Sequence, residues 1–283
     1  MSKIKVAELF YSLQGEGQFL GTPSIFLRVF GCNFTCSGFS MPRGQLSEER
    51  LAVDPAAYSK YDDLPLVHTG CDSYASWDVR FKKLSPMLEV SAIVDRIQEL
   101  LPDGKFSEDK HLILTGGEPL LGWQKSYIEL FEEIKKREMG LKHITFETNG
   151  TQEINYDLAR YLTKSDIFTT FSISSKLPSS GESWEDAIKP DVIDQYMAKV
   201  WSSQGYFKWV VSNEDDYQDV VRAVEVYGKV IEDYMMPVYL MPAGGTTMHY
   251  NDNERWVADL AMKHGWRYTP RLQVQLWKNA WGT

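Results

Sequence analysis

The chain has 283 residues, 43% of them hydrophobic and 24% charged, with a formal net charge of −9. That balance gives a globular core of good size without disulfide staples, and the acidic excess excludes a nucleic-acid surface, which draws on clustered Lys and Arg. No apolar run reaches the roughly 18 residues of a membrane helix, and Met1-Ser2-Lys3-Ile4-Lys5 opens no secretory signal, so a cytoplasmic protein with a small-molecule or protein partner is expected.

In chain order, the spacing predicts an apolar strand from Ser24 to Phe30, then an aperiodic insertion over 37–70. A helix follows over Ser91 to Leu101, with Ile93, Val94, Ile97 and Leu100 on one face. His111 to Thr115 reads as a buried strand, Tyr127 to Lys136 as a helix closed by Gly140, and His143 to Phe146 as a strand. Tyr156 to Leu162 is a predicted helix and Ile167 to Ile173 a strand, followed by a Pro- and Ser-rich excursion over 177–190. Strands at Phe207 to Val211 and Val238 to Met241 flank a helix with an acidic start at Asn213-Glu214-Asp215-Asp216, and Asn251 to His264 is the last helix. Strands alternating with helices imply parallel βα units. The expected architecture is α/β, a partial (β/α) barrel with inserted loops, built as one domain over 1–283. Its chemistry belongs at the carboxyl ends of the strands.

Cys32, Cys36 and Cys71 are the only cysteines. An odd count in a reducing compartment forms no closed disulfide framework. Cys32 and Cys36 make a C-x3-C pair just after the first predicted strand, where two thiolates can turn to one centre. With Cys71 they can bind three irons of a [4Fe–4S] cluster and leave the fourth open, whereas four cysteines would close the cluster for electron transfer. An open iron can chelate the amino and carboxylate groups of S-adenosylmethionine (SAM) and deliver the electron that breaks its carbon–sulfur bond. The three cysteines with His68 also suit tetrahedral zinc. Both readings stand on the cysteines alone.

Further motifs lie along the chain, several of them at predicted strand ends. In Leu13-Gln14-Gly15-Glu16-Gly17 the glycines let backbone approach a flat ligand, and Gln14 and Glu16 offer an amide and a carboxylate. Thr115-Gly116-Gly117-Glu118-Pro119, Glu147-Thr148-Asn149-Gly150, Ser174-Ser175-Lys176, Ser212-Asn213 and Arg271-Leu272 through Trp277-Lys278-Asn279 follow. Together with the cysteines these segments resemble the 7-carboxy-7-deazaguanine synthases of the radical SAM superfamily, over nearly the whole chain.

The resemblance implies a radical SAM partial barrel with the cluster on Cys32, Cys36 and Cys71. It implies substrate contacts from Leu13, Gln14, Gly15, Glu16, Thr115, Glu147 and the Thr283 carboxylate, with Arg28 on a substrate carboxylate. SAM contacts are implied for Gly116, Gly117, Glu118, Ser174, Ser175, Lys176, Ser212 and Asn213, and a Mg2+ ligand for Ser73. The implied reaction cleaves SAM to a 5′-deoxyadenosyl radical and contracts 6-carboxy-5,6,7,8-tetrahydropterin to 7-carboxy-7-deazaguanine with loss of ammonia. An electron donor such as flavodoxin or ferredoxin and a homodimer go with it. The chain departs from the family in four places. Phe39 stands where the third cysteine of C-x3-C-x2-C falls, Ser73 replaces threonine, Ser175 replaces proline and Lys278 replaces glycine. Two other readings remain: a different radical SAM enzyme such as a glycyl-radical activase, and a non-catalytic zinc-binding scaffold.

Overall fold

The structure is a computed structural model that describes residues 2–231, 236–244 and 253–283. Strand β1 (Lys3–Leu13) pairs antiparallel with β2 (Pro23–Val29), setting Glu8 opposite Arg28 and Phe10 opposite Phe26. A short β3 (Met87–Glu89) lies antiparallel on the far side of β1. From β2 onward the sheet is parallel, through β4 (His111–Gly116), β5 (His143–Thr148), β6 (Phe168–Ile173), β7 (Ser203–Val211), β8 (Val238–Pro242) and β9 (Arg267–Tyr268). Among the described residues the order is β3-β1-β2-β4-β5-β6-β7-β8-β9, open at both edges, so the expected partial barrel is what forms.

Helices α1 (Val90–Leu100), α2 (Gln124–Lys136), α3 (Tyr156–Lys164), α4 (Trp184–Ala187), α5 (Pro190–Lys199), α6 (Glu214–Gly228), α7 (Glu254–His264) and α8 (Leu272–Trp277) complete the chain. Each long helix buries one apolar stripe: Val90, Ile93, Val94 and Ile97 in α1, and Tyr127, Leu130, Phe131 and Ile134 in α2. The stripes meet alternate strand residues, Ile25, Leu27 and Val29 of β2, Leu112 and Leu114 of β4, Ile144 and Phe146 of β5, in the main core. Because strand side chains alternate, the intervening residues point to the other face. There Phe10, Phe26 and Ile113 form a separate small cluster, with Phe10 and Phe26 stacked at 4.9 Å. At the amino ends of the strands His111 and His143 stack at 3.9 Å under the edge of Phe19.

Several boundaries differ from the sequence expectation. Strand β1 was not anticipated, because its alternation is broken by the apolar run Val6-Ala7 before Glu8. Helix α2 ends at Lys136, and Glu138 rather than Gly140 is the first left-handed residue beyond it. Helix α5 begins inside the expected 177–190 excursion, at Pro190, where the ring presets the first helical φ. Helix α7 starts at Glu254, and Asn251 lies outside the described residues. The 37–70 insertion holds short 3-10 turns at Arg50–Ala52, Pro55–Ala57 and Tyr61–Asp63. It buries Tyr61, Leu64 and Val67 against Ala7, Tyr74, Ala75 and Phe81, and Trp281 Nε1 donates to Leu64 O at 2.7 Å. No helix among the described residues is long and apolar enough to cross a membrane.

Candidate active site

A cavity of about 270 Å³ opens at the carboxyl ends of the parallel strands and contains Cys32, Cys36 and Cys71 in its wall. Cys32 and Cys36 sit on the loop that leaves β2, and Cys36 adopts a left-handed backbone, φ 44°. Cys71 arrives at the same wall because the insertion closes on itself at a narrow neck. Gly70 N donates to Phe39 O at 2.7 Å, Ser47 N donates to Ser37 O at 3.0 Å, and the Ser47 and Thr69 hydroxyls share a 2.6 Å hydrogen bond. Phe39 thus keeps its place beside the cysteines, packed with Phe34, Cys36 and Ala187, while the chain loops out and returns with Cys71.

Burial raises all three thiols: Cys32 to about 12, Cys36 well above its ordinary range, and Cys71 with the Asp72 carboxylate adding to burial. The free thiols are therefore protonated, and a metal must displace their protons. The donor set suits a cluster: three cysteines line one cavity, and three thiolates bind three irons of a [4Fe–4S] cluster and leave the fourth open.

The rest of the cavity is polar and charged. Arg28 donates through Nε to Glu8 Oε2 at 2.6 Å and through Nη1 to Ser73 Oγ at 3.1 Å. Burial outweighs Arg28 and raises the Glu8 carboxyl, while burial pulls Arg28 down but Glu8, Tyr61 and Glu147 together outweigh it and raise the guanidinium. Glu16 is held by Lys208, by Arg271 at 3.1 Å and by Gln273 Nε2 at 2.7 Å. Burial alone would raise Glu16, but Lys208 and Arg271 together bring it down to about 2. Arg271 also pairs with Asp72, which it holds below the usual carboxylate range against the pull of burial. Gln14 Nε2 donates to Glu147 Oε1 at 3.0 Å.

Leu13, Gln14, Gly15, Glu16, Arg28, Ser73, Thr115, Gly116, Gly117, Glu147, Ser174, Lys176 and Thr283 all line the cavity with the cysteines. Four of the expected SAM residues do not. Glu118 is buried and accepts from Leu120 N at 3.0 Å, Thr148 Oγ1 at 2.8 Å and Asn149 N at 2.7 Å, tying the ends of β4 and β5 together. Ser175 shares a 2.7 Å hydrogen bond with Tyr227, and Ser212 donates through N and Oγ to Asp216. Asn213 caps α6 by accepting from Asp216 N. The glycines of Gly116-Gly117 serve packing as well as exposure: a Cβ on Gly117 would strike the Gly31 carbonyl and come within 2.8 Å of Cys32 Cβ.

Sequence reasoning did not single out Glu8, Asp72 or Lys208. Glu8 and Lys208 carry the same legible signal, a charge inside an apolar strand, which here faces the cavity.

An open α/β barrel with three cysteines at the carboxyl ends of its strands defines an iron–sulfur enzyme class, and the 4Fe-4S single cluster domain family matches residues 13–193. The 7-carboxy-7-deazaguanine synthase of Halobacterium salinarum is 30% identical, covering 98% of this chain and 91% of that one. The same enzyme from Pyrobaculum aerophilum is 29% identical over 99% and 97%. The chain belongs to the 7-carboxy-7-deazaguanine synthase family of radical SAM enzymes. The crystal structure of QueE from Escherichia coli shares the fold, at a TM-score of 0.56 and 18% identity, covering 95% of this chain and 94% of that one.

Proposed function

We propose that the protein contracts 6-carboxy-5,6,7,8-tetrahydropterin to 7-carboxy-7-deazaguanine with loss of ammonia, for 7-deazapurine biosynthesis. The observation that carries this reading is that Cys32, Cys36 and Cys71 share one cavity with Arg28, Gln14 and Glu147. Cys32, Cys36 and Cys71 would hold a [4Fe–4S] cluster, which together with SAM would supply the radical for hydrogen abstraction.

The chain's own residues bind and orient. Arg28, already anchored on Glu8, presents the rest of its guanidinium fork to the substrate carboxylate, a pairing that Lys does not reproduce. The Glu147 carboxylate accepts from the donor edge of a pterin, with Gln14 fixing its orientation, and Thr115 adds a hydroxyl on the neighbouring strand. The stacked Phe10 and Phe26 give the ring an apolar floor. Gly116, Gly117, Ser174 and Lys176 lie on the cysteine side, where Lys176 can meet the SAM carboxylate. Glu118, Ser175, Ser212 and Asn213 support these positions from behind. A Mg2+ ligand at the Ser73 hydroxyl, with substrate oxygens and water completing the set, belongs to the same proposal. Phe39, Ser40, Val67 and His68, near the neck of the insertion, line the cavity and help to keep water from the radical chemistry. A single domain, a homodimer, a cytoplasmic setting and a flavodoxin or ferredoxin as electron donor belong to the same proposal.

The test is anaerobic reconstitution followed by assay with the tetrahydropterin, SAM, Mg2+ and a reductant. Brown protein holding about four irons and forming 7-carboxy-7-deazaguanine is expected. A full cluster and SAM cleavage without that product would point to another radical SAM substrate, such as a protein glycine. Colourless protein loaded with zinc would overturn the enzyme reading.

A further inference from the structure

The cluster loop is gripped from outside the cavity by the excursion after β6. Glu182 Oε1 accepts from Thr35 N at 2.8 Å, from Cys36 N at 2.8 Å and from the Thr35 hydroxyl at 3.3 Å. Two residues further on, Gly38 N donates to Ser180 O at 2.9 Å. A Cβ on Gly38 would come within 2.6 Å of Ser179 O, so the two backbones run in direct contact. Ala187 closes the grip by packing on Phe34 and Cys36.

Cys36 needs this support. Its φ of 44° lies in the left-handed region, which is uncommon and disfavoured for a residue with a Cβ. A carboxylate that takes the amides of residues 35 and 36 together fixes that turn from its convex side. It also occupies two N–H donors of the ligand loop and sets a fixed negative charge next to it. Net charge and N–H donors near the sulfurs are what tune a cluster's potential.

We propose that Glu182 is a positioning residue for the cluster. It locks Cys36 in its left-handed turn, and its charge holds the cluster's reduction potential down. This rests on the reading of Cys32, Cys36 and Cys71 as ligands.

Two variants separate the geometric and electrostatic parts. Glu182→Gln keeps an acceptor oxygen but loses the charge. In reconstituted protein without SAM, its reduction equilibrium constant, read by a titration followed by electron paramagnetic resonance, should rise on the order of tenfold, about 59 mV for one electron. Glu182→Ala loses both. In metal-free protein its Cys36 should alkylate several-fold faster relative to Cys32 in the same molecule, read by mass spectrometry. Glu182→Gln should keep this ratio near wild type. An unchanged potential in a fully loaded Glu182→Gln would overturn the charge effect, and an unchanged ratio in Glu182→Ala would overturn the lock. If wild-type protein takes up no iron and sulfide, the ligand reading fails, and the alkylation ratio alone decides for or against the lock.

Discussion

The Gly70 amide donates to the Phe39 carbonyl across 2.7 Å, and this contact delivers Cys71 to the wall that Cys32 and Cys36 already line. Phe39 itself faces the same cavity, packed against Cys36. The insertion therefore leaves the ligand geometry to the neck and adds its bulk elsewhere. Cys71→Ser should lose most cluster iron. Adding Phe39→Cys in that background should recover part of it, because the new thiol points into the same space. Iron and sulfide analysis of reconstituted protein checks both, and an iron-replete Cys71→Ser would sink the assignment.

Gly117→Ala probes the other side of the cluster loop. The added methyl meets the Gly31 carbonyl and Cys32 Cβ, neither the far end of a flexible side chain. Overpacking of this kind costs about 1–3 kcal/mol. A lower denaturation midpoint together with impaired cluster uptake is expected. A variant that loads normally at unchanged stability would mean that the loop yields freely.

Arg28 uses one guanidinium for two partners, Glu8 on the strand opposite and Ser73 beside Cys71. Lysine has one nitrogen and cannot serve both along with a substrate carboxylate. Arg28→Lys should raise KM for the carboxylated pterin about tenfold or more, the loss of one charge-assisted hydrogen bond, while cluster content stays intact. Steady-state kinetics beside iron analysis separates this from a folding defect.

Much of this was legible in the sequence. The βα alternation gave the barrel because each strand and helix carries its own period, and the glycine-rich strand ends marked the loops that line the cavity. What stayed hidden depends on distant pairing. Nothing local to Glu182 points to the amides of Thr35 and Cys36, and nothing near Cys71 reveals the neck at Phe39. Ser212 and Asn213 show the reverse case. A polar pair at a strand end looked like a ligand contact, yet the structure engages it in the start of α6, where serine and asparagine commonly serve as caps.

Glu16 joins Lys208, Arg271 and Gln273 in one buried cluster. Glu16→Gln leaves two cations short of a counter-charge and should destabilise the fold by on the order of 3 kcal/mol. The pH dependence follows from the carboxyl being lowered to about 2. Its contribution is fully present above the unfolded value near 4.5, and is lost as pH falls from there toward 2. Chemical denaturation at pH 7 and pH 3 should show wild type and Glu16→Gln converging at the lower pH, and a constant gap between them would contradict the pairing.

His111 and His143 govern a different window. Burial lowers His111 to about 4, and burial with its neighbour His111 lowers His143 to about 3, so both stacked rings are neutral in the folded protein at pH 7. The unfolded chain takes up protons on these rings near pH 6.5, which the folded chain refuses. Stability from this pair is therefore whole above pH 6.5 and declines steadily as pH falls toward 4 and then 3. The Glu16 carboxyl is silent between pH 7 and 5, and comparison with a variant lacking both imidazoles cancels the contribution of the raised Glu8 and Glu118 carboxyls. Thermal melts over that interval should show Tm falling in the wild type. A His111→Phe/His143→Phe variant, which keeps the aromatic stack under Phe19 but cannot titrate, should give a flatter profile even if the lost His143–Thr170 hydrogen bond lowers Tm throughout. Equal slopes in the two proteins would place the acid sensitivity elsewhere than at the foot of the barrel.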